Sequence, residues 1–243
     1  MKLSEIHYQA PVGLKEQTLL DTGLADGYVV LASPIGAVNV AFNTLGVSAV
    51  APTTEPFVDD FRARFRRPLL AVDRLPTLIE SGVQMTFETG RLDHITIDWR
   101  GQTDFQQAVL KAAASIPPGE VRPYGWIAHQ VGRPNAVRAV GSALGQNPVP
   151  ILVACHRVVR SDGHLGKYRF GTSMKAALLE SEGLQPAPVQ GTLVGSPATK
   201  VVCYPSCEVA RGIDPDQRRW FRSAGAAALA RYRPCNRCQP VLS

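Results

Sequence analysis

"YGWIAHQVGRPNAVRAVGSALGQNPVPILVACHRVV", residues 124–159, sets two short helical patterns, an apolar run and the dipeptide Cys155–His156 in one stretch. "YGWIAHQVG" predicts a helix stopped at Gly132, "RPN" a turn, and "AVRAVGSALGQN" a second helix. Two short helices joined through a glycine-containing turn suggest a helix-turn-helix, although an ordinary helical hairpin fits the same pattern. The second helix carries Ala136, Ala139, Gly141, Ser142 and Ala143, with Arg138 its only charge. A helix that reads the major groove extends several long polar side chains to base edges. One trimmed to small residues around a single arginine suits close approach to the narrow minor groove.

"VPILVA" then reads as a short buried strand delivering Cys155. A free thiol titrates at about 8.5, so a nucleophilic cysteine needs a base or a positive neighbour. His156 is the candidate base. Adjacent side chains diverge, which favours a bridging water over direct contact. The imidazole needs an acceptor to fix its tautomer, and Asp162, Glu180 and Glu182 are the available carboxylates. On these residues alone, a buried structural cysteine competes with a reactive one.

Outward from this stretch, "DFQQAVLKAAASI" predicts a helix with Phe105, Val109, Ala112 and Ala113 on one face, ended by "PPG". "TSMKAALLESEG" predicts another, with Met174, Ala177 and Leu178 inward and Gly183 as its stop. The first hundred residues read as a small α/β scaffold. "GYVVLAS", "GAVNVAFN" and "GVSAVAP" form a meander. "PFVDDFRARFRR" is an amphipathic helix with Phe57, Phe61 and Phe65 on one face, and "LDHITIDWRG" is a further strand.

The 243-residue chain has a net charge of +6, and most of the surplus lies after Ala198, where eight Lys or Arg face three Asp or Glu. A solvated basic face explains this as well as a nucleic-acid partner does. The N-terminus, "MKLSEIHYQAPVGLKEQ", has no apolar core of signal-peptide length. The most apolar segment is broken by Pro34, Gly36 and Gly46, so no membrane partner is expected. The reading is a cytoplasmic chain with reduced thiols, in which clustered cysteines mean metal or catalysis more often than disulfides. "CYPSC" and "CNRC" hold Cys203, Cys207, Cys235 and Cys238 as two close pairs, twenty-seven residues apart. Four thiolates so spaced suit a structural tetrahedral zinc, with two disulfides as the competing possibility. Arg218, Arg219 and Arg222 stand ready as basic contacts in the same tail. "LQPAPVQG" has the composition of a linker before it.

Residues from about Phe105 to Gly183 resemble the C-terminal domain of the O6-alkylguanine-DNA alkyltransferases, through the "YG" helix start, "RAVG", "NP", "CHRVV", "GxxGxY" and "LLxxEG". The tail, with its "YRPCxRCxP" ending, resembles the zinc-binding domain of the Ada repair proteins. These resemblances imply an α+β chain. Residues 1–100 would be a ribonuclease H-like scaffold, 101–184 the catalytic helix-turn-helix domain, 185–192 a linker and 193–243 the zinc domain. They imply irreversible transfer of an alkyl group from O6 of guanine, and from O4 of thymine, in a flipped nucleotide to Cys155. No catalytic cofactor is needed. His156 would deprotonate the thiol through a water, Glu182 would orient the imidazole, and Asn147 would hold the turn before the cysteine. Tyr124 would press on a phosphate and assist protonation of the leaving guanine. Arg138 would enter the duplex from the minor groove, with Ala136, Ala139, Gly141 and Ser142 against it. Tyr168, Val158 and Arg169 would line the base pocket.

The implied partner is double-stranded DNA containing O6-alkylguanine, met by a monomer with no obligate protein partner. A non-catalytic damage sensor of the alkyltransferase-like kind is the alternative, as is an Ada-like phosphotriester repair activity at Cys203. Two departures stand out. Ala154 replaces the family's usual proline, and Arg169–Phe170 replace a small residue and a glycine in the loop over the pocket.

Overall fold

A computed structural model describes residues 14–162, 164–184 and 193–241, so the expected linker at 185–192 lies outside the described residues. After α1 (Leu14–Asp21), β1 (Asp26–Ser33), β2 (Gly36–Asn43) and β3 (Gly46–Pro52) form the antiparallel meander that their β-rich runs predict. Gly46, at φ 130°, is required there, because a Cβ would sit 2.2 Å from the Thr96 carbonyl oxygen. α2 (Phe57–Phe65) leads to β4 (Leu69–Ala71), which pairs parallel to β1 and gives the order β3-β2-β1-β4. Ala41, Ala49 and Ala51 on the strands leave room for the rings of Phe57 and Phe61, and this forms a core cluster of its own.

The following helix, α3 (Thr77–Thr89), carries none of the signals singled out above, and its presence changes the fate of "LDHITIDWRG". That segment is not a strand. It touches β3 through one bridge, Val47–Ile97. Gly82 of α3 comes so close to the His94 carbonyl that a Cβ would lie 2.5 Å away, so the segment is held by helix packing instead. Asp98 turns inward, accepting from Asn43 at 2.8 Å and from Arg100 at 2.7 Å.

α4 (Asp104–Ala114) begins with a reciprocal cap. Thr103 accepts from the Gln106 backbone, and Gln106 accepts from that of Thr103. β5 (Arg122–Pro123) leads directly into α5 (Tyr124–Gln130), a turn follows, and α6 (Val137–Gly145) completes the helix-turn-helix. "VPILVA" is not a strand. It is a buried tight turn with a Pro150–Val153 bridge and Ile151 at φ 77°. Cys155–Arg157 form a single 3-10 turn, and β6 (Val158–Val159) leaves it to pair parallel with β5. That pairing sets the start of α5 beside the exit from the cysteine turn. α7 (Thr172–Ser181) buries Lys175, Leu178 and Leu179, whereas Ala177, expected inward, faces solvent. The inward set is therefore rotated from the one its apolar residues suggested.

The tail folds as β7 (Leu193–Ser196), β8 (Val201–Cys203), α8 (Glu208–Arg211), β9 (Arg219–Phe221), α9 (Ala224–Leu229) and β10 (Arg233–Pro234), in the sheet order β10-β8-β7-β9. It rests on the residues just before α5. Ser206 Oγ accepts from the Val121 backbone at 2.9 Å, and Arg122 stacks over Tyr204 at 5.5 Å. The fully buried Glu120 carboxylate pairs with Arg122 at 2.5 Å and with Arg237 at 3.3 Å. One apolar cluster runs unbroken from Val29 through Val109 to Cys238.

Candidate active site

The cysteine turn places Cys155 on the wall of an open cleft of about 1430 Å³ while leaving the residue only 6% exposed. Asn147 organises the turn. Its Nδ2 donates to the Val153 carbonyl and to Cys155 Sγ, both at 3.1 Å, and its Oδ1 accepts from the Val149 backbone at 3.1 Å. Burial pushes the Cys155 thiol up, and the bond from Asn147 and the charge of Lys175 oppose that rise.

Of the three candidate carboxylates, Glu182 meets His156, with Nε2 to Oε1 at 2.8 Å. Asp162 pairs with Arg160 instead at 2.7 Å, and Glu180 points to solvent. Burial would raise the Glu182 carboxyl, but bonds from His156 and Arg157 prevail and hold it at about 2. An ionised carboxylate only accepts. Nε2 therefore carries the hydrogen, and Nδ1 is the basic nitrogen of the neutral ring. Nδ1 is buried and meets no protein partner among the described residues. Burial also holds the imidazole below its ordinary value against the pull of Glu182, so the ring is neutral near pH 7.

Two contributors escaped the residue-by-residue reading. Arg157, 1% exposed, grips both Glu182 oxygens at 3.0 Å and donates to the carbonyls of Ile116 and Gly90 at 2.7 and 2.8 Å. Lys175, fully buried, donates to the carbonyls of Val158 and Leu165 at 2.5 Å. Burial lowers its ammonium to about 8, against a smaller upward pull from Cys155. A signal for Lys175 existed, because it falls at i relative to Leu178 and Leu179 at i+3 and i+4, a charge on an inward helical face.

The cleft is lined by Tyr124, Arg138, Gly141 and Ser142 from the helix-turn-helix and by Tyr168 and Arg169 from the loop before α7. Arg138, Ala139 and Ser142 are exposed, while Ala136 and Gly141 are half-buried. Gly166 is required for closure on this side, since at φ 70° a Cβ would stand 3.1 Å from the Tyr124 hydroxyl. Val158, expected in the base pocket, is fully buried at the start of β6. Its carbonyl is a Lys175 acceptor and its strand pairs with Arg122–Pro123. Phe170 packs edge-on to Tyr168 and against the α2 cluster, which pins the loop to the N-terminal region.

The four tail cysteines are buried, and their sulfurs all lie within 4.8 Å of one another. A tetrahedral zinc with bonds of about 2.3 Å needs sulfurs about 3.8 Å apart, so this cluster fits that ion. The crowded thiols cannot all ionise unaided. Sharing hydrogen bonds with Cys207 pushes Cys203 up, while the same sharing holds Cys207 down. Of the three arginines singled out in the tail, Arg218 donates to the carbonyls of Ile213 and Arg211, Arg219 stacks near Phe221, and Arg222 is exposed.

Fold and site together define a helix-turn-helix protein built around a single thiol. Residues 104–184 match the 6-O-methylguanine DNA methyltransferase DNA-binding domain, and residues 189–241 match the metal-binding domain of Ada. A methylated-DNA–protein-cysteine methyltransferase from Methanosarcina barkeri is 35% identical over 160 residues, covering 64% of this chain and 96% of the relative. A protein of the same name from Mycobacterium tuberculosis is 52% identical over 99 residues, covering 41% of this chain but only 59% of that relative. The crystal structure of Mycobacterium tuberculosis OGT in complex with DNA superposes with a TM-score of 0.54 at 36% identity, covering 67% of this chain and 95% of that one. The chain belongs to the methylated-DNA–protein-cysteine methyltransferases.

Proposed function

We propose that this protein repairs alkylated DNA by direct reversal. The observation that carries the reading is the single constellation of Cys155, Asn147, His156 and Glu182 on the cleft beside the exposed face of α6. Duplex DNA lies with its minor groove on that face. Arg138 fills the space left by the extruded nucleotide, with Ala136, Ala139, Gly141 and Ser142 against the groove. Tyr168 and Arg169 border the extruded base. The base is O6-alkylguanine or O4-alkylthymine.

The thiol proton passes through a water to His156 Nδ1. Glu182 steadies the imidazolium that forms, as carboxylates do in hydrolytic triads. The thiolate sulfur attacks the alkyl carbon, the carbon–O6 bond breaks, and its electron pair leaves with guanine, which regains a proton with help from Tyr124. The Lys175 ammonium faces the thiolate before transfer. A thioether has no easy leaving path, so each molecule acts once, without a catalytic cofactor. The tail zinc, held by Cys203, Cys207, Cys235 and Cys238, supplies folding energy and takes no part in this chemistry. The protein acts as a monomer in three parts, 1–100, 101–184 and 193–243. It works in the cytoplasm, where thiols stay reduced.

Intact-mass measurement after incubation with O6-methylguanine duplex tests the reading. One methyl should appear, mapped to Cys155, and Cys155→Ser should bind the lesion yet gain nothing. Tight binding by the parent without any gain in mass would move the protein to the damage-sensor class.

A further inference from the structure

A second cleft, of about 310 Å³, opens beside the first, and Gly145 and Arg169 line both. Its other walls are Arg64 from α2 together with Gln102, Gln106 and Gln146. Arg64, Arg169 and the Gln146 amide supply donors to it, whereas the Gln102 carboxamide oxygen is buried with no partner among the described residues. Arg64 uses one guanidinium N–H on the Gln146 carbonyl and has no carboxylate within ion-pair reach among the described residues. Gln146 Oε1 accepts from Gln106, which leaves its own amide hydrogens for another acceptor. Among the described residues Arg169 has one carboxylate partner, the half-exposed Asp60 at 3.4 Å, and lies over the Phe170 ring.

Two guanidinium groups are thus held near each other, and burial together with the charge of Arg169 lowers the Arg64 pKa. Like charges at a partly desolvated site are unfavourable unless an anion joins them. Forked N–H donors with adjacent amides are the chemistry that recognises a phosphate. The position is also held in place. Phe170 anchors the loop against α2, so Arg169 is kept at the junction of the two clefts.

We propose that Arg64 and Arg169 clamp a backbone phosphodiester of the DNA whose nucleotide is extruded into the larger cleft, so that the N-terminal region shares in holding the duplex. The proposal rests on the repair reading above. It adds a phosphate contact from a part of the chain that sequence alone marks as plain scaffold.

The test is the salt dependence of full-chain binding to O6-methylguanine duplex, with methyl uptake measured on the same samples. Each phosphate no longer neutralised lowers the log–log slope by about 0.9, so Arg64→Gln combined with Arg169→Gln should weaken binding about 3.5-fold more at 50 mM salt than at 200 mM, and Arg64→Gln alone should give a part of that change. Arg64→Lys, which keeps the charge, should retain most of the slope. If Arg64→Gln melts early, Arg169→Gln on the facing wall carries the same expectation. An unchanged slope in a folded variant overturns the clamp.

Titration with inorganic phosphate separates the two sources of the anion. Binding of free phosphate that Arg64→Gln abolishes, with the DNA slope unaltered, assigns the cleft to a small phosphate ligand and removes the DNA contact. Failure of the repair reading shows separately, as a parent protein that gains no methyl whatever its slope.

Discussion

Cys155 and the four cysteines of the tail are all buried, yet their surroundings give them opposite chemistry. Cys155 stands outside the cluster that the other four cysteines form. It has one amide donor, a buried ammonium, a neutral imidazole next in the chain and an open cleft in front. Cys203, Cys207, Cys235 and Cys238 face one another within 4.8 Å, where only a cation relieves the repulsion of their charged forms. A thiol with room before it and weak positive support is a nucleophile in waiting. A thiol crowded by its own kind is a ligand. Burial and residue type do not separate the two, and neighbours do.

The sharpest way to break this contrast is Cys238→Ser. A structural zinc site contributes apparent binding energy of about 10–16 kcal/mol, so its loss should unfold the tail. Zinc release by a chromogenic chelator and a lost unfolding transition would report it, while Cys155 still takes up its methyl. Equal loss of uptake would mean that the two regions are not chemically independent.

Glu182→Gln comes next. It leaves the Arg157 guanidinium buried without its carboxylate, which should cost about 3–5 kcal/mol in denaturant unfolding, and it should slow transfer about 10²- to 10⁴-fold. The same substitution carries a pH signature. The folded carboxyl sits at about 2 against an ordinary value of 4.5. Its stabilisation is therefore complete above 4.5 and is lost as pH falls through 2. Parent protein should lose stability over that window, and Glu182→Gln should lose less.

Lys175→Met sharpens the contrast from the nucleophile's side. Without the ammonium the Cys155 thiol rises further, so the rate profile for methyl uptake should move to higher pH, roughly tenfold slower at neutral pH for each unit moved. The sign for folding is opposite. Lys175 is charged in the fold only below about 8, and this unfavourable burial is relieved as pH rises from 8 towards 10.5. The parent should gain stability over that range and the variant should not.

The smallest effect is Ala154→Pro. Ala154 has φ −73°, which proline adopts without strain, so the change should stabilise by about 0.4–1 kcal/mol in thermal unfolding and leave methyl uptake intact. Destabilisation would show that the buried turn before Cys155 has no room for the ring.

Much of the molecule was legible before folding. Short β-rich runs separated by glycine or Ser-Pro turns drew β1 to β3, and "YGWIAHQVG…AVRAVGSALG" drew α5 and α6, because local propensity and burial agree there. Where they disagreed, tertiary packing prevailed. "VPILVA" has every mark of a strand but pairs with no strand among the described residues, and Asn147 holds it in a turn. "LDHITIDWRG" alternates like a strand, yet Gly82 admits α3 against it and Asp98 turns into the polar cluster beneath the sheet.

The amino-acid order by itself determined the types of reactive group, the spacing of the tail cysteines and the small-residue face of α6, since these are local and need no partner to be read. Only the tertiary structure chose Glu182 over Asp162 and Glu180, buried Lys175 near the thiol, and set Arg64 and Arg169 on facing walls of one cleft. Each of those choices depends on a distance between residues far apart in the chain, and such distances come from packing, which local pattern does not encode.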